Sequence, residues 1–130
     1  MDLNWFAILA AALSAFLLGG LWYSVLFARP WQRSAGVSDE QIRASNPVVL
    51  FGGAFVLSLV ASAAFAVFLG PEINLATGAL YGFTAGLCWV TASLGITYLF
   101  ERRPLVLFLI NGGYQTLQYT LIGAILGAWR

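Results

Sequence analysis

Residues 104–129 read PLVLFLINGGYQTLQYTLIGAILGAW, a run with no charged side chain in which Asn111, Gln115 and Gln118 recur at helical spacing. A helix needs about 20 residues to cross a hydrocarbon layer of roughly 30 Å, so this run is long enough to span a bilayer. Three further stretches, 3–28, 44–71 and 73–100, are equally free of charge. The six arginines and five acidic residues all lie between or beyond these four runs.

Composition excludes other solvents for the chain. Of 130 residues, 61% are hydrophobic and only 8% are charged, against roughly 25% charged in an average soluble domain. So short a chain has too little interior to hide that much apolar surface from water. Disorder is excluded for the same reason, since it needs low hydrophobicity and high charge. A net charge of +1 provides no basic face for nucleic acid. With no histidine and one cysteine, neither a usual zinc site nor an internal disulfide can form. No cofactor or metal is expected.

The expected fold is all-α: one transmembrane domain, a membrane-embedded four-helix bundle of antiparallel up-down hairpins. The helices are placed at about 4–27, 47–69, 74–99 and 104–128, with no proline inside any of them. Pro47 and Pro104 stand where helices begin, the position at which a missing N–H costs least, and Asn46 is a fitting N-cap. The runs are too long and continuous for a transmembrane barrel. The chain opens Met1-Asp2-Leu3-Asn4, without the basic flank of a signal peptide, so the first span is expected to be retained.

Arginine bias orients the bundle. Arg29, Arg33 and Arg43 occupy the first connection and Arg102 and Arg103 the third, whereas the second has none and the ends add only Arg130. The positive-inside rule then places the first and third connections in the cytoplasm, with both termini outside. The 29–46 connection carries Ser38-Asp39-Glu40-Gln41, a capping-box pattern. It predicts a short interfacial helix through about Ala44, with Val37 and Ile42 turned inward and Trp31 anchoring at headgroup level. The tight second and third turns predict antiparallel packing of successive helices.

Small residues mark the expected packing faces: Ala12, Ala15 and Gly19 in the first span, and Gly52, Gly53, Ser58 and Ser62 in the second. The third carries a stripe with a seven-residue repeat, Thr77, Tyr81, Thr84, Cys88, Thr91 and Gly95, with Cys88 as a small core residue. The candidate site lies on the fourth span. Asn111, Gln115 and Gln118 project from one narrow face flanked by Tyr114 and Tyr119, and amides are expensive in hydrocarbon unless paired. Thr84 and Thr91 of the third span and Tyr23 of the first are the expected partners. Two readings stay open: interhelical glue, within or between subunits, or a polar pocket for a small neutral solute. Trp89, near mid-span, either floors such a pocket or packs against lipid or another helix.

Enzymatic chemistry lacks its parts here, with no histidine base and no buried carboxylate pair. No acidic or basic group lies within a span, whereas ion-coupled transporters normally keep one there. Small four-helix multidrug exporters depend on a membrane glutamate in the first helix, where this chain offers only Ser14. The expected partners are therefore the lipid bilayer and either a second copy or another membrane protein.

Several segments resemble a known family. Asn4-Trp5 leads into an alanine-rich span, followed by Gly19-Gly20-Leu21-Trp22-Tyr23-Ser24, Phe27 and Pro30-Trp31. Gly86-Leu87 with Trp89, Asn111-Gly112-Gly113-Tyr114 and Gly123-Ala124-Ile125-Leu126 complete the pattern, which resembles the bacterial domain-of-unknown-function 1761 family over nearly the whole chain. The resemblance implies a small four-helix protein of the bacterial inner membrane with no established activity, and brings no catalytic residue with it. It makes Trp22 and Tyr23, together with Trp89 and Tyr114, candidates for a signature or assembly site.

Overall fold

Helical hydrogen bonding dominates because the apolar runs offer the backbone no other partner. The computed structural model describes residues 3–129. Met1, Asp2 and Arg130, on which the amino-terminal flank and the terminal charge were read, lie outside the described residues. Helix α1 (Trp5–Leu21) continues as a π-helical segment, Trp22–Leu26. Helices α2 (Ala28–Ala35) and α3 (Asp39–Ala44) fill the first connection, and α4 (Pro47–Leu69) follows. Helix α5 (Leu75–Thr84) passes through a second π-helical segment, Ala85–Thr91, into α6 (Ala92–Glu101), and α7 (Leu105–Ala128) closes the chain. No strand occurs among the described residues.

Side-chain caps fix several of these starts. The Asn4 side chain accepts the Ala7 N–H at 3.1 Å, and Asn46 accepts that of Val48 at 3.0 Å, with Pro47 at the first helical position. Ser38 and Gln41 form the expected capping box, and Asn74 forms another with Thr77. Helix α2 lies between the first span and α3, where no helix is expected from the sequence. Phe27 breaks the helix with φ −128° and ψ 22°, and Pro30 sits in the first turn of α2, where proline is tolerated.

Three helical segments, Trp5–Leu26, Pro47–Leu69 and Leu75–Glu101, are long and apolar enough to cross a membrane. The fourth, α7, is a 24-residue helix, about 36 Å at 1.5 Å per residue. Its amides lower its hydropathy, and the packing accommodates them by putting α7 at the centre, against α1, α4, α5, α6 and the second π segment. Buried Ala7, Ile8, Ala11 and Ala15 of α1 meet Ile122 and Leu126 of α7, Phe65 of α4 and Ala85.

The expectation that successive helices pack as neighbours needs correction for the middle pair. Helix α4 lies along α1 and α5 lies along α7, so α4 and α5 are not packed along one another. Phe68 of α4 and Trp89 of the second π segment, with ring centroids 6.1 Å apart, meet edge to face. In α4 only Ser62 and Phe65 are buried. Gly52 and Gly53, expected to pack closely, face open space. Ile42, expected to turn inward, is 45% exposed.

Candidate polar site at the crossing of α1, α6 and α7

Close backbone approach creates the site. A Cβ at Gly78 or Gly82 would collide with the Gly123 or Tyr119 carbonyl of α7, and one at Gly86 would stand 2.8 Å from the Gln115 carbonyl oxygen. The contact stripe is thus Gly78, Gly82, Gly86, Thr91 and Gly95, not the seven-residue repeat read from the sequence. The step from Gly86 to Thr91 is five residues because the π-helical turn accommodates an extra one. Thr84 and Cys88 are displaced to the exposed side. The Thr84 hydroxyl donates to its own Leu80 carbonyl at 2.9 Å and does not meet the amides.

Thr91 is brought to α7 as expected, but it bonds backbone and hydroxyl there and no amide. Its hydroxyl donates to the Gly112 carbonyl at 3.0 Å and lies 3.2 Å from the Thr116 hydroxyl, which itself donates to Gly112 at 2.8 Å. Replacing hydrogen with a methyl at Gly112 would drive a Cβ to 2.6 Å from Thr91 Cγ2, so the glycine admits this buried pair.

Asn111 is the hub. Its Oδ1 accepts the Tyr23 hydroxyl at 2.6 Å, and its Nδ2 donates to the Tyr98 hydroxyl at 2.8 Å, tying α7 to the first and third segments at once. Tyr98, absent from the sequence-based site, stands seven residues beyond Thr91. That spacing is the signal that would have found it, since it returns a helical side chain to one face. One turn along α7, the Tyr114 hydroxyl shares its single proton between the Ala15 carbonyl at 2.9 Å and Gln118 Oε1 at 3.2 Å. Gln118 Nε2 donates to Gln115 Oε1, so Gln115 and Gln118 pair along their own helix.

The first π segment aims the aromatic side chains. Phe27 N–H bonds Trp22 O at 2.9 Å, an i to i+5 closure. Trp22 Nε1 donates to the Ile110 carbonyl at 2.9 Å, and its ring lies 3.0 Å from where a Cβ on Gly113 would stand. Tyr23 packs edge to face on both Trp31 and Tyr114, with centroids 5.5 and 5.4 Å apart. Trp89 is not brought to this cluster; it is 59% exposed and touches Phe68.

The site therefore gathers Trp22, Tyr23, Tyr98, Asn111, Tyr114, Gln115 and Gln118. It provides phenols, amides and an indole N–H, groups that donate and accept hydrogen bonds without carrying charge near neutral pH. No group of three metal-ligating side chains occurs among the described residues.

No curated protein and no solved structure matches the chain. A family model described as "Protein of unknown function (DUF1761)" matches residues 6–127, from α1 to the last turn of α7 and including every residue of this polar cluster. The chain belongs to the DUF1761 family.

Proposed function

We propose that the protein is a four-span integral membrane protein of the bacterial inner membrane, with both termini outside, that works without catalysis as a homo-oligomer or as a small subunit of a larger membrane assembly. The observation that carries this reading is the closure of the Asn111 amide, engaged at its oxygen by Tyr23 and at its nitrogen by Tyr98. A hub so satisfied is a fastening between helices. It presets the shape of the apolar faces that the bundle offers to lipid or to a neighbour. The exposed apolar faces of α4 and of the third segment are among those available for that contact.

Topology and assembly are testable together. In a Cys88→Ser background, Arg33→Cys and Arg103→Cys are both expected to be labelled from the cytoplasmic side alone. Native mass spectrometry from lipid nanodiscs is expected to show more than one subunit or a co-purifying membrane protein. Labelling of the two positions from opposite sides, or a lone monomer without partners, would refute the reading.

A second reading, passage of a small neutral solute, is favoured by Gln115. Its Oε1 is engaged by Gln118, whereas its Nε2 meets no acceptor among the described residues. Gln115→Leu should then lower liposome flux while leaving the subunit number unchanged, whereas under the assembly reading the flux is absent from the start.

A further inference from the structure

We infer that the groove between α2 and α3 is a binding site for the phosphate of an anionic phospholipid headgroup, an inference that rests on the membrane-spanning reading above. The groove has a volume of about 590 Å³ and is walled by Arg29, Gln32 and Arg33 on one side and by Gly36 and Asp39 on the other. Arg29 and Arg33 are one turn apart on α2, so both guanidinium groups reach the same side. Their charges are unequally spent. Arg29 lies 3.8 Å from the Asp39 carboxylate, which also accepts Gln32 Nε2 at 2.9 Å. Arg33 forms no ion pair among the described residues. The groove therefore holds one cation already oriented by a carboxylate and one left uncompensated, and a planar guanidinium matches phosphate oxygens two at a time.

Position selects the source of the phosphate. Helix α2 starts two residues after the first π segment ends, so the groove stands where the span leaves hydrocarbon. Trp31, between the two arginines, packs its ring on Tyr23 of that segment, the placement of an interfacial aromatic anchor. Leu21, Val25 and Leu26, just before α2, are exposed and offer apolar surface to acyl chains. Gly36 ends α2 in the left-handed conformation, φ 74°, and nothing lies within 4 Å of where its Cβ would be. That wall is open to a headgroup. A phosphate already concentrated in the plane of the leaflet, with its chains beside α1, fits this arrangement better than a free anion from bulk water.

The test is native mass spectrometry of the full chain released from nanodiscs of equal phosphatidylcholine and phosphatidylglycerol. The wild type should retain phosphatidylglycerol in preference. Arg33→Gln should lower that retention about fivefold, the order expected for one basic residue at a charged leaflet. Asp39→Asn removes the competing negative charge and should raise retention. Arg43 pairs with Glu40 and does not line the groove, so Arg43→Gln should lower retention less than Arg33→Gln. Millimolar inorganic phosphate should not displace the lipid; complete displacement would overturn the lipid as the source. Equal retention of the two lipids, or an equal loss in Arg33→Gln and Arg43→Gln, would overturn the groove assignment while the chain still floats with vesicles. A wild-type chain that failed to float would overturn the membrane reading and this inference with it.

Discussion

Replacing Gly82 with alanine probes the contact on which the polar cluster rests. The added methyl would sit inside the Tyr119 carbonyl of α7, close to the backbone of Thr120 as well. Neither obstacle is a flexible side-chain end, so α5 and α7 must separate by about 1 Å, and a gap of that size forfeits a quarter to a half of each dispersion contact across it. Overpacking of this kind costs about 1–3 kcal/mol. Alanine recovers about 1 kcal/mol through its better helix propensity, leaving a net loss of up to about 2 kcal/mol. The separation would extend to Gly78 against Gly123 and to Gly86 against Gln115, because all three glycines meet the same helix.

The same substitution elsewhere supplies the internal control. A Cβ at Gly52 or Gly53 of α4 meets nothing within 4 Å, so alanine there should be neutral or stabilising by up to about 1 kcal/mol. Reversible unfolding in mixed micelles, followed by circular dichroism against the fraction of denaturing detergent, reads both effects on one scale. Gly82→Ala should unfold earlier than the parent and Gly53→Ala at the same point or later. If the two variants unfolded together, the backbone contact between α5 and α7 would be refuted as the organising one.

Three further outcomes follow from the same geometry. Asn111→Leu removes two interhelical hydrogen bonds, each worth about 0.6 kcal/mol on average, so in that unfolding assay it should cost about 1 kcal/mol and Tyr23→Phe about half as much. Equal effects would break the assignment of Asn111 as the hub. Ser62 has a fully buried hydroxyl without a partner among the described residues, so Ser62→Ala should stabilise by about 1 kcal/mol, within the roughly 1–3 kcal/mol charged to an unsatisfied buried group; a loss would reveal a partner for that hydroxyl. The Gln32 amide, and then the Arg29 guanidinium, hold the Asp39 carboxyl below its ordinary value of 3.8. A carboxyl lowered in the folded state stabilises above its unfolded value and loses that contribution as pH falls through the folded one. Amide protection across 36–44, corrected for the intrinsic exchange rate at each pH, should therefore hold at neutral pH and fall only below the ordinary aspartate range, and Asp39→Asn should flatten the profile.

Charge and proline placement made the helical segments legible, because both act locally. The observed ends at Pro47, Leu69 and Ala128 are those read from the sequence, and the other ends lie within two residues of it. What lay hidden depends on a register that local pattern does not carry. A fixed seven-residue repeat puts Thr84 and Thr91 on one face, but the five-residue step through Ala85–Thr91 separates them, turning Thr91 inward and Thr84 outward. The amide face was visible as a spacing of polar residues along one helix. Its partner Tyr98 was not, since whether a tyrosine near a helix end is an interfacial anchor or an interior donor depends on what crosses it.

The two π-helical segments and the polar cluster have a common physical origin. A π turn spends one extra residue to rotate the remainder of a helix, and each of these segments is followed by residues that reach α7. After Ala85–Thr91, that rotation carries the inner face from the glycines onto Thr91, Gly95 and, one more turn on, Tyr98. Within Trp22–Leu26 it turns Trp22 and Tyr23 toward Ile110 and Asn111. Neither rotation serves simple helix packing, for which the small residues of α1 and α5 already suffice. Both direct polar side chains onto one stretch of α7, the stretch least able to face hydrocarbon. The irregular turns of the outer helices and the amides of the central one therefore account for each other: without the amides there would be nothing to reach for, and without the extra residues nothing would reach them.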